Sequence, residues 1–228
     1  MTLLRRLLPV AAAGAALYYV RGVYRFRDPV RLPPADADTV LAPADGVVCF
    51  VKRVTGGQIY ADSTPHPIAV SDLAGLPNAP QSGWLMGLYM GPLDVHFTYH
   101  PVSGPVTRTH HTASRQNTPL LSAGAAVALL TGRSADLLAT RGTLENERHA
   151  LTTHTIHGEV TTTLVAPGSG LSATTYTHEA DTVRAGNKSA FLDEGGLVFL
   201  LIPAAFTPQV SVGERVLGAE TVVARAEA

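Results

Sequence analysis

Residues 183–203 read VRAGNKSAFLDEGGLVFLLIP, and the end of this stretch carries the strongest local signal for a strand. Residues 197–202 are an unbroken apolar run, preceded by two glycines and followed by Pro203. Short apolar runs between glycine and proline are typical of strands and the turns that join them. Runs of similar length recur at residues 47–54, 83–91, 150–155 and 160–165. Together these runs predict a body built mainly from β-strands.

The composition agrees with a β-rich chain. Among 228 residues there are 21 glycines and 16 prolines, which favours short strands and turns over long helices. Residues 122–131 and 134–140 are richer in alanine and leucine and are predicted to form short helices. The closing segment, residues 210–224, reads VSVGERVLGAETVVA, which predicts a hairpin of the kind found in lipoyl-like barrels.

A basic-flanked apolar segment opens the chain. Residues 7–20 are apolar, and arginines stand on both sides, at Arg5, Arg6, Arg21, Arg25 and Arg27. A perpendicular span of a bilayer needs about 20 residues, so these 14 favour a shallow or tilted helical anchor. We therefore expect residues 1–25 to associate with the cytoplasmic face of the cell membrane and residues 26–228 to form the β body. A signal-like segment or a buried helix is the alternative interpretation.

Charge and cysteine content narrow the function classes. The formal net charge is −1, which offers no broad basic surface for a nucleic acid. The lone Cys49 excludes an intrachain disulfide and a zinc site built on several thiolates. His96 and His100 have a spacing that suits a metal, but no acidic or thiolate partner accompanies them, so we predict no metal site.

Seven motifs occur in a fixed order along most of the chain. They are FRDPVRLPP at 26–34, APADGVV at 42–48, MGPLDVHFTYHPVSGPV at 90–106, ENER at 145–148, HGEV at 157–160, the 183–203 stretch and VGERVLGAETVVA at 212–224. In this order and spacing the chain resembles the phosphatidylserine decarboxylase family. The resemblance implies a mainly β, α+β fold with barrel-sandwich or lipoyl-like hairpins, preceded by a short hydrophobic helix.

The resemblance also implies a chemistry. In this family a serine within a Gly-Ser pair becomes a pyruvoyl group, an electron sink that releases carbon dioxide from phosphatidylserine and leaves phosphatidylethanolamine. By the same resemblance, Asp45 corresponds to an aspartate that helps to activate the serine, and His96 to a histidine beside the cofactor. The family chemistry assigns these two residues to catalysis.

Two further residues are predicted to lie near the substrate. Some family members carry a second histidine three residues after the first, where this chain has Tyr99, with His100 one place further on. His100 substitutes for that histidine only if the strand bulges, because neighbouring strand residues face opposite sides. Arg148, in the ENER motif, is predicted to contact a phosphate or to brace the loop around the site.

The chain departs from the family at the position that matters most. Without a gap, Gly195 aligns with the glycine of the Gly-Ser pair and Gly196 with the serine. Glycine has no hydroxyl for the acyl shift and no Cβ ester for the elimination that follows, so neither step can occur. We therefore predict an uncleaved chain in which no pyruvoyl group forms. Ser189 would replace the missing serine only through a change of register. Residues 170–172 also lack the arginines that the family usually carries there.

Three functions follow from these observations. The chain is a working decarboxylase, a silent family member that binds a phosphatidylserine-like lipid or a partner, or a structural β module that shares only the architecture. The missing serine favours the second of these functions, the silent family member. The predicted partners are a phospholipid membrane and either a second copy of this chain or an active paralogue.

Overall fold

The computed structural model describes residues 2–61, 64–114, 116–131, 133 and 135–227. The helices in these ranges are α1 (Thr2–Gly22), α2 (Val70–Ala74), α3 (Ala123–Leu130) and α4 (Arg141–Glu145), with a single 3-10 turn at Tyr24–Phe26. The strands are β1 (Thr39–Leu41), β2 (Gly46–Thr55), β3 (Gln58–Ile59), β4 (Ile68–Ala69), β5 (Ser82–Met90), β6 (Phe97–Tyr99), β7 (Gly104–Thr112), β8 (Arg148–Thr155), β9 (Gly158–Val165), β10 (Ala173–Thr175), β11 (Thr182–Val183), β12 (Lys188–Leu192), β13 (Gly196–Ile202), β14 (Phe206–Pro208), β15 (Arg215–Val216) and β16 (Val222–Ala226). The fold is mainly β, as predicted.

A large antiparallel sheet forms the centre of the protein. Its strands follow the order β11-β7-β8-β9-β13-β5-β2-β3-β4, and β15 pairs with β2 beside that path. Two three-stranded sheets accompany it, with the orders β1-β16-β14 and β10-β12-β6. The two arms of the predicted closing hairpin lie in different sheets, because β15 joins β2 while β16 lies between β1 and β14.

The apolar run at residues 197–202 becomes β13, which is buried along its whole length. Side chains alternate between the two faces of a strand, so β13 contributes to the core on each side of the sheet. Val198, Leu200 and Ile202 pack in one core with residues of β1 and β16. On the opposite face, Phe199 packs with residues of α2 and α3. A strand covered on both faces needs no polar alternation, which explains its sequence.

Apart from the closing hairpin, the predicted strands and helices agree with the structure except at one segment. All five predicted strand runs lie in β2, β5, β8, β9 and β13, and the helix predicted at residues 122–131 is α3. The Ser122 hydroxyl accepts a hydrogen bond from the Ala125 amide and caps this helix. The helix predicted at residues 134–140 is wrong for the described part, residues 135–140. There the Asp136 carboxylate accepts from the Leu138 amide, and the Thr140 hydroxyl caps α4 instead.

Helix α1 confirms the predicted hydrophobic N-terminal helix. It leaves large apolar side chains uncovered, including Leu8, Leu17, Tyr18 and Tyr19. Within the described residues, no helix combines the length and the apolar character that a membrane crossing requires. The chain then runs from α1 along the body through residues 23–34, where its contacts bear directly on the candidate site.

Candidate functional site

The predicted site residues Asp45, Gly195 and Gly196 lie at one end of the central sheet. Gly46 begins β2, Met90 ends β5 and Gly196 begins β13, and β5 lies between the other two strands. Neighbouring strands are about 4.8 Å apart, so Gly46 and Gly196 lie about 10 Å apart across this end. Asp45 directly precedes Gly46. The chain thus brings Asp45 and the Gly195–Gly196 pair together from positions far apart in sequence.

His96 is buried close to the same end. Its Nδ1 lies 2.8 Å from the Leu192 carbonyl oxygen, and the Leu192 amide donates to the His96 carbonyl at 3.0 Å. Leu192 is four residues before Gly196, so the chain keeps Leu192 and Gly196 within about 14 Å of each other. His96 therefore belongs to the same region as the glycine pair.

The hydrogen bond at Nδ1 defines the tautomer of His96. Nδ1 faces a carbonyl oxygen, so it carries the proton when the ring is neutral, and Nε2 keeps its lone pair. Nε2 is buried and finds no hydrogen-bond partner in the described part of the chain. Burial lowers the pKa of His96, and the positive charges of Arg25 and Arg27 lower it further, against the opposing effect of the Leu192 and Asp193 carbonyls. The ring is thus a neutral proton acceptor at Nε2.

Asp45 is held by an arginine and a backbone amide. One guanidinium nitrogen of Arg31 lies 2.7 and 2.8 Å from the two carboxylate oxygens, and the Gly218 amide donates to Oδ1 at 2.8 Å. Both side chains of the ion pair are less than a tenth exposed. The described residues contain no hydrogen bond between Asp45 and a histidine. The charged partner of Asp45 in this structure is therefore Arg31.

The glycine pair has a backbone that suits glycine alone. Gly195 has φ +72° and Gly196 has φ +144°, both in the region that side chains rarely adopt. A Cβ at position 196 would lie 2.6 Å from the Val165 carbonyl oxygen, and one at position 195 would lie 2.6 Å from that of Met90. At these positions the structure leaves no room for a side chain.

A polar hollow of about 330 Å³ opens beside Gly195. Its lining comprises Glu147, Ser169, Gly170, Leu171, Ser172 and Glu194. The Glu147 carboxylate accepts a hydrogen bond from the Leu171 amide at 2.9 Å and lies 2.8 Å from Nε2 of His111. Both contacts lower the pKa of Glu147, and the amide has the larger effect. Residues 170–172 thus lie at the site, and the hollow that they line carries carboxylates and no cationic side chain.

His100 is buried, and its side chain points into the interior. Its Nε2 is 2.9 Å from the Thr177 hydroxyl, while Nδ1 is buried without a partner among the described residues. Burial lowers its pKa to about 4, partly offset by Asp181. It lines a small cavity with His149 and Thr162. Its predicted contact with substrate stays a prediction, and its present contacts are internal.

Arg148 begins β8 and is buried beneath α2 and α4. Its guanidinium donates to five backbone carbonyls, those of Asp72, Leu73, Thr143, Leu144 and Asn146. These include orphan carbonyls at the ends of both short helices, which need donors. The arrangement braces the loops of the ENER motif; a phosphate contact by Arg148 stays a prediction.

Sequence reasoning missed the residues that hold the site in place. Arg25 donates to the Asp193 carbonyl at 2.9 Å, and the Phe26 ring stacks on Phe191 at 5.4 Å. Arg31 lies in the FRDPVRLPP motif, but nothing local to that motif indicates its pairing with Asp45. The described residues contain no cluster of three or more histidine, cysteine or acidic side chains suited to a metal ion.

Comparison with known proteins places the chain in one family. Residues 21–224 match the family model of phosphatidylserine decarboxylase. The chain is 30% identical over 205 residues to a protein of Methanothermobacter thermautotrophicus named as an archaetidylserine decarboxylase proenzyme, covering 88% of this chain and 78% of the relative. It is 29% identical over 216 residues to a phosphatidylserine decarboxylase proenzyme of Gluconacetobacter diazotrophicus, covering 93% and 80%. A proenzyme of the same name from Mycobacterium leprae is 29% identical over 224 residues, covering 97% and 74%. The chain therefore belongs to the phosphatidylserine decarboxylase family.

Proposed function

We propose that this protein is a phospholipid-binding member of its family that does not process itself and does not convert phosphatidylserine to phosphatidylethanolamine. The observation that carries the proposal is the Gly195–Gly196 pair. Gly196 supplies no hydroxyl, and its φ of +144° with the Val165 oxygen 2.6 Å from a Cβ position leaves no place for one. The residues present do not fit a pyruvoyl group, which is made from a serine side chain and its backbone.

Ser189 is the nearest serine in the same motif, and its surroundings do not support a substitute role. Its hydroxyl lies 2.8 Å from that of Thr98, at an irregularity in the pairing of β12 with β6. The residue before it is Lys188 and not glycine. The carbonyl that Ser189 would attack therefore belongs to a lysine in a paired strand, unlike the Gly-Ser turn of the family.

His96 supports retained binding of a lipid headgroup. The unpartnered Nε2 accepts a hydrogen bond, and an aminophospholipid offers ammonium N–H donors. The carboxylates of Glu147 and Glu194, in the hollow beside Gly195, favour the same cationic group. The absence of arginine at residues 170–172 argues against a strong phosphate clamp in the hollow itself.

The exposed apolar helix α1 supports attachment to a membrane surface. Its uncovered leucines and tyrosines are followed by Arg21, Arg25 and Arg27, a combination that binds the interface of anionic bilayers. We propose peripheral or N-terminal anchoring at the cytoplasmic face of the cell membrane. A second copy of the chain or an active paralogue is the proposed protein partner.

Intact-protein mass spectrometry and a decarboxylation assay test the loss of processing. A single species near 23.9 kDa, with no carbon dioxide released from phosphatidylserine, is the expected result. An active family member run in parallel shows that the assay detects turnover. Two fragments separated between Gly195 and Gly196, or measurable carbon dioxide release, overturns the proposal.

Sedimentation with vesicles of phosphatidylserine and phosphatidylcholine tests the membrane attachment. Leu17→Glu, on the exposed surface of α1, is expected to reduce the bound fraction severalfold. Ile156→Glu is the matched control, because Ile156 is also exposed but lies in the β8–β9 turn at the opposite end of the sheet from Gly196. Equal losses in both variants, or no loss in Leu17→Glu, contradicts anchoring by α1.

A further inference from the structure

An apolar groove of about 220 Å³ opens at the same end of the sheet as the glycine pair. Its floor is formed by Val47 and Tyr89, which are cross-strand partners on β2 and β5. Tyr89 is also the partner of Leu197, the residue after Gly196, so only one strand spacing separates the groove floor from β13. The groove thus adjoins the candidate site without being part of the polar hollow.

The walls of the groove are aliphatic. Helix α3 contributes Ala126 and Leu129, and Leu121 precedes it. Leu93, on the loop between β5 and β6, forms part of the opposite rim and is itself half-exposed. The polar groups among the lining residues are the Tyr89 hydroxyl, the polar groups of residues 91–94 and the Arg215 guanidinium. Such a lining stabilises a hydrocarbon chain.

The mouth of the groove carries an excess of positive charge. Arg215 pairs with Asp94 and is 59% exposed, so a guanidinium with five donors retains several for another ligand. Asp94 is further occupied by the Gly91 amide, which donates to Oδ2 at 2.8 Å. Arg27 donates to the carbonyl of Leu93 on the rim at 2.6 Å. Arg215 and Asp94 thus line the groove, and a second arginine, Arg27, contacts its rim at Leu93.

The groove also lies next to the segment that leaves the exposed helix. Arg27 follows α1 by five residues and touches the groove rim directly. An amphiphile at a surface bound by α1 is thus within reach of the groove. An aliphatic chain with an anionic headgroup matches the apolar walls, the basic mouth and this position.

We propose that the groove of Val47, Tyr89, Leu93, Leu121, Ala126 and Leu129 binds one acyl chain of an anionic phospholipid, with Arg215 and Arg27 facing its phosphate. This inference rests on the proposed lipid-binding function and specifies where the chain of the lipid lies. The headgroup beyond the phosphate then extends toward the end of the sheet that holds Gly196.

Calorimetric titration of the full chain with hexyl, heptyl and octyl phosphate, each kept monomeric, tests the groove. Affinity is expected to rise about fourfold with each methylene that the groove buries. Ala126→Leu fills the groove and is expected to weaken octyl phosphate binding at least tenfold. Ala123→Leu is the matched control, because Ala123 is exposed on the same helix and does not line the groove.

The headgroup contact has a separate test. Arg215→Gln is expected to weaken octyl phosphate about tenfold and to leave octanol binding unchanged, since only the phosphate uses the guanidinium. Circular dichroism and the melting temperature of each variant confirm that it is folded. An affinity for alkyl phosphates that does not depend on chain length, or that is equal in Ala126→Leu and Ala123→Leu, contradicts acyl-chain binding in the groove. Fragments cut at Gly195 would contradict the proposed loss of processing without affecting the titration result. Failure of the proposed function and failure of the groove proposal are therefore distinguishable.

Discussion

The carboxylate of Asp45 lies against the guanidinium of Arg31, with one nitrogen 2.7 Å from Oδ1 and 2.8 Å from Oδ2. The pair joins the segment that leaves the N-terminal helix to the strand end at Gly46. Glu220 extends this junction, because its carboxylate accepts from the Leu32 amide at 3.0 Å and lies 3.4 Å from Arg31. The linker between α1 and the body is therefore fastened at the candidate site itself.

Removing one member of this buried pair should be costly. We expect Arg31→Gln to lower the free energy of unfolding by about 3–5 kcal/mol, because it leaves the Asp45 charge buried with only the Gly218 amide. Urea denaturation measures the change. Arg225→Gln, which breaks the exposed pair with Asp36, should cost no more than about 1 kcal/mol. Similar losses for both variants contradict the assignment of Arg31–Asp45 as a fastening contact.

A serine at position 196 should strain the backbone. We expect Gly196→Ser to lower the free energy of unfolding by about 1–3 kcal/mol and to remain a single uncut chain, because the Cβ meets the Val165 oxygen at 2.6 Å. Denaturant unfolding and intact mass are the measurements. In Gly124→Ser the new Cβ meets only the Ser122 hydroxyl, at 4.0 Å, so this helical control should keep its stability. Unchanged stability or renewed cleavage of Gly196→Ser shows that the turn readily accepts a side chain.

The buried histidines should make the protein acid-sensitive. Burial lowers the pKa of His100 to about 4, whereas an unfolded histidine titrates near 6.5. Between these values the unfolded state binds more protons, so the free energy of unfolding falls as the pH falls, by on the order of 3 kcal/mol for this residue. Above pH 6.5 the effect is absent. Burial lowers the pKa of His96 and His149 in the same direction.

Urea unfolding at several pH values between 7 and 4 tests this linkage. His100→Asn should reduce the slope of stability against pH by up to about 1.4 kcal/mol per unit, whatever its effect at neutral pH. His178→Asn, at a side chain that is 83% exposed, is the matched control for the substitution. Identical slopes in the wild type and His100→Asn show that His100 binds a proton equally well in the folded state.

Arg148 should matter for stability through its carbonyl partners. Arg148→Met removes the donor from five backbone carbonyls, three in buried and two in part-buried hydrogen bonds, and we expect the free energy of unfolding to fall by about 3 kcal/mol or more. Arg141→Met removes only an exposed i,i+4 pair with Glu145 and should change it by less than about 0.5 kcal/mol. Chemical denaturation compares the two. A small effect at position 148 indicates that water replaces the guanidinium.

The strand positions were predictable because their signal is local. Residues 197–202 are apolar throughout, and glycine and proline bound the run, so the strand is readable without knowing its neighbours. The helix predicted at residues 134–140 failed in its described part because the signal was composition alone. There the polar side chains of Asp136 and Thr140 bond the nearby backbone and begin α4 later.

The candidate site was predictable only as separate residues. The motifs name Asp45, His96 and the Gly195–Gly196 pair, but not the partner of each. Arg31 is 14 residues from Asp45 and Gly218 is 173 residues away, so their contacts with it depend on how distant segments converge. The same holds for the carbonyl of Leu192, 96 residues from His96, which sets the tautomer of that ring.

The sequence by itself determined the β class, the strand runs, the hydrophobic N-terminal helix and the absence of a hydroxyl at position 196, because each depends on side-chain type and short-range order. The tertiary structure alone decided that Asp45 pairs with Arg31, that His100 faces the interior, and that an apolar groove adjoins β13. These features arise where segments far apart in the chain pack together, and burial then sets which polar groups find partners and which protons they hold.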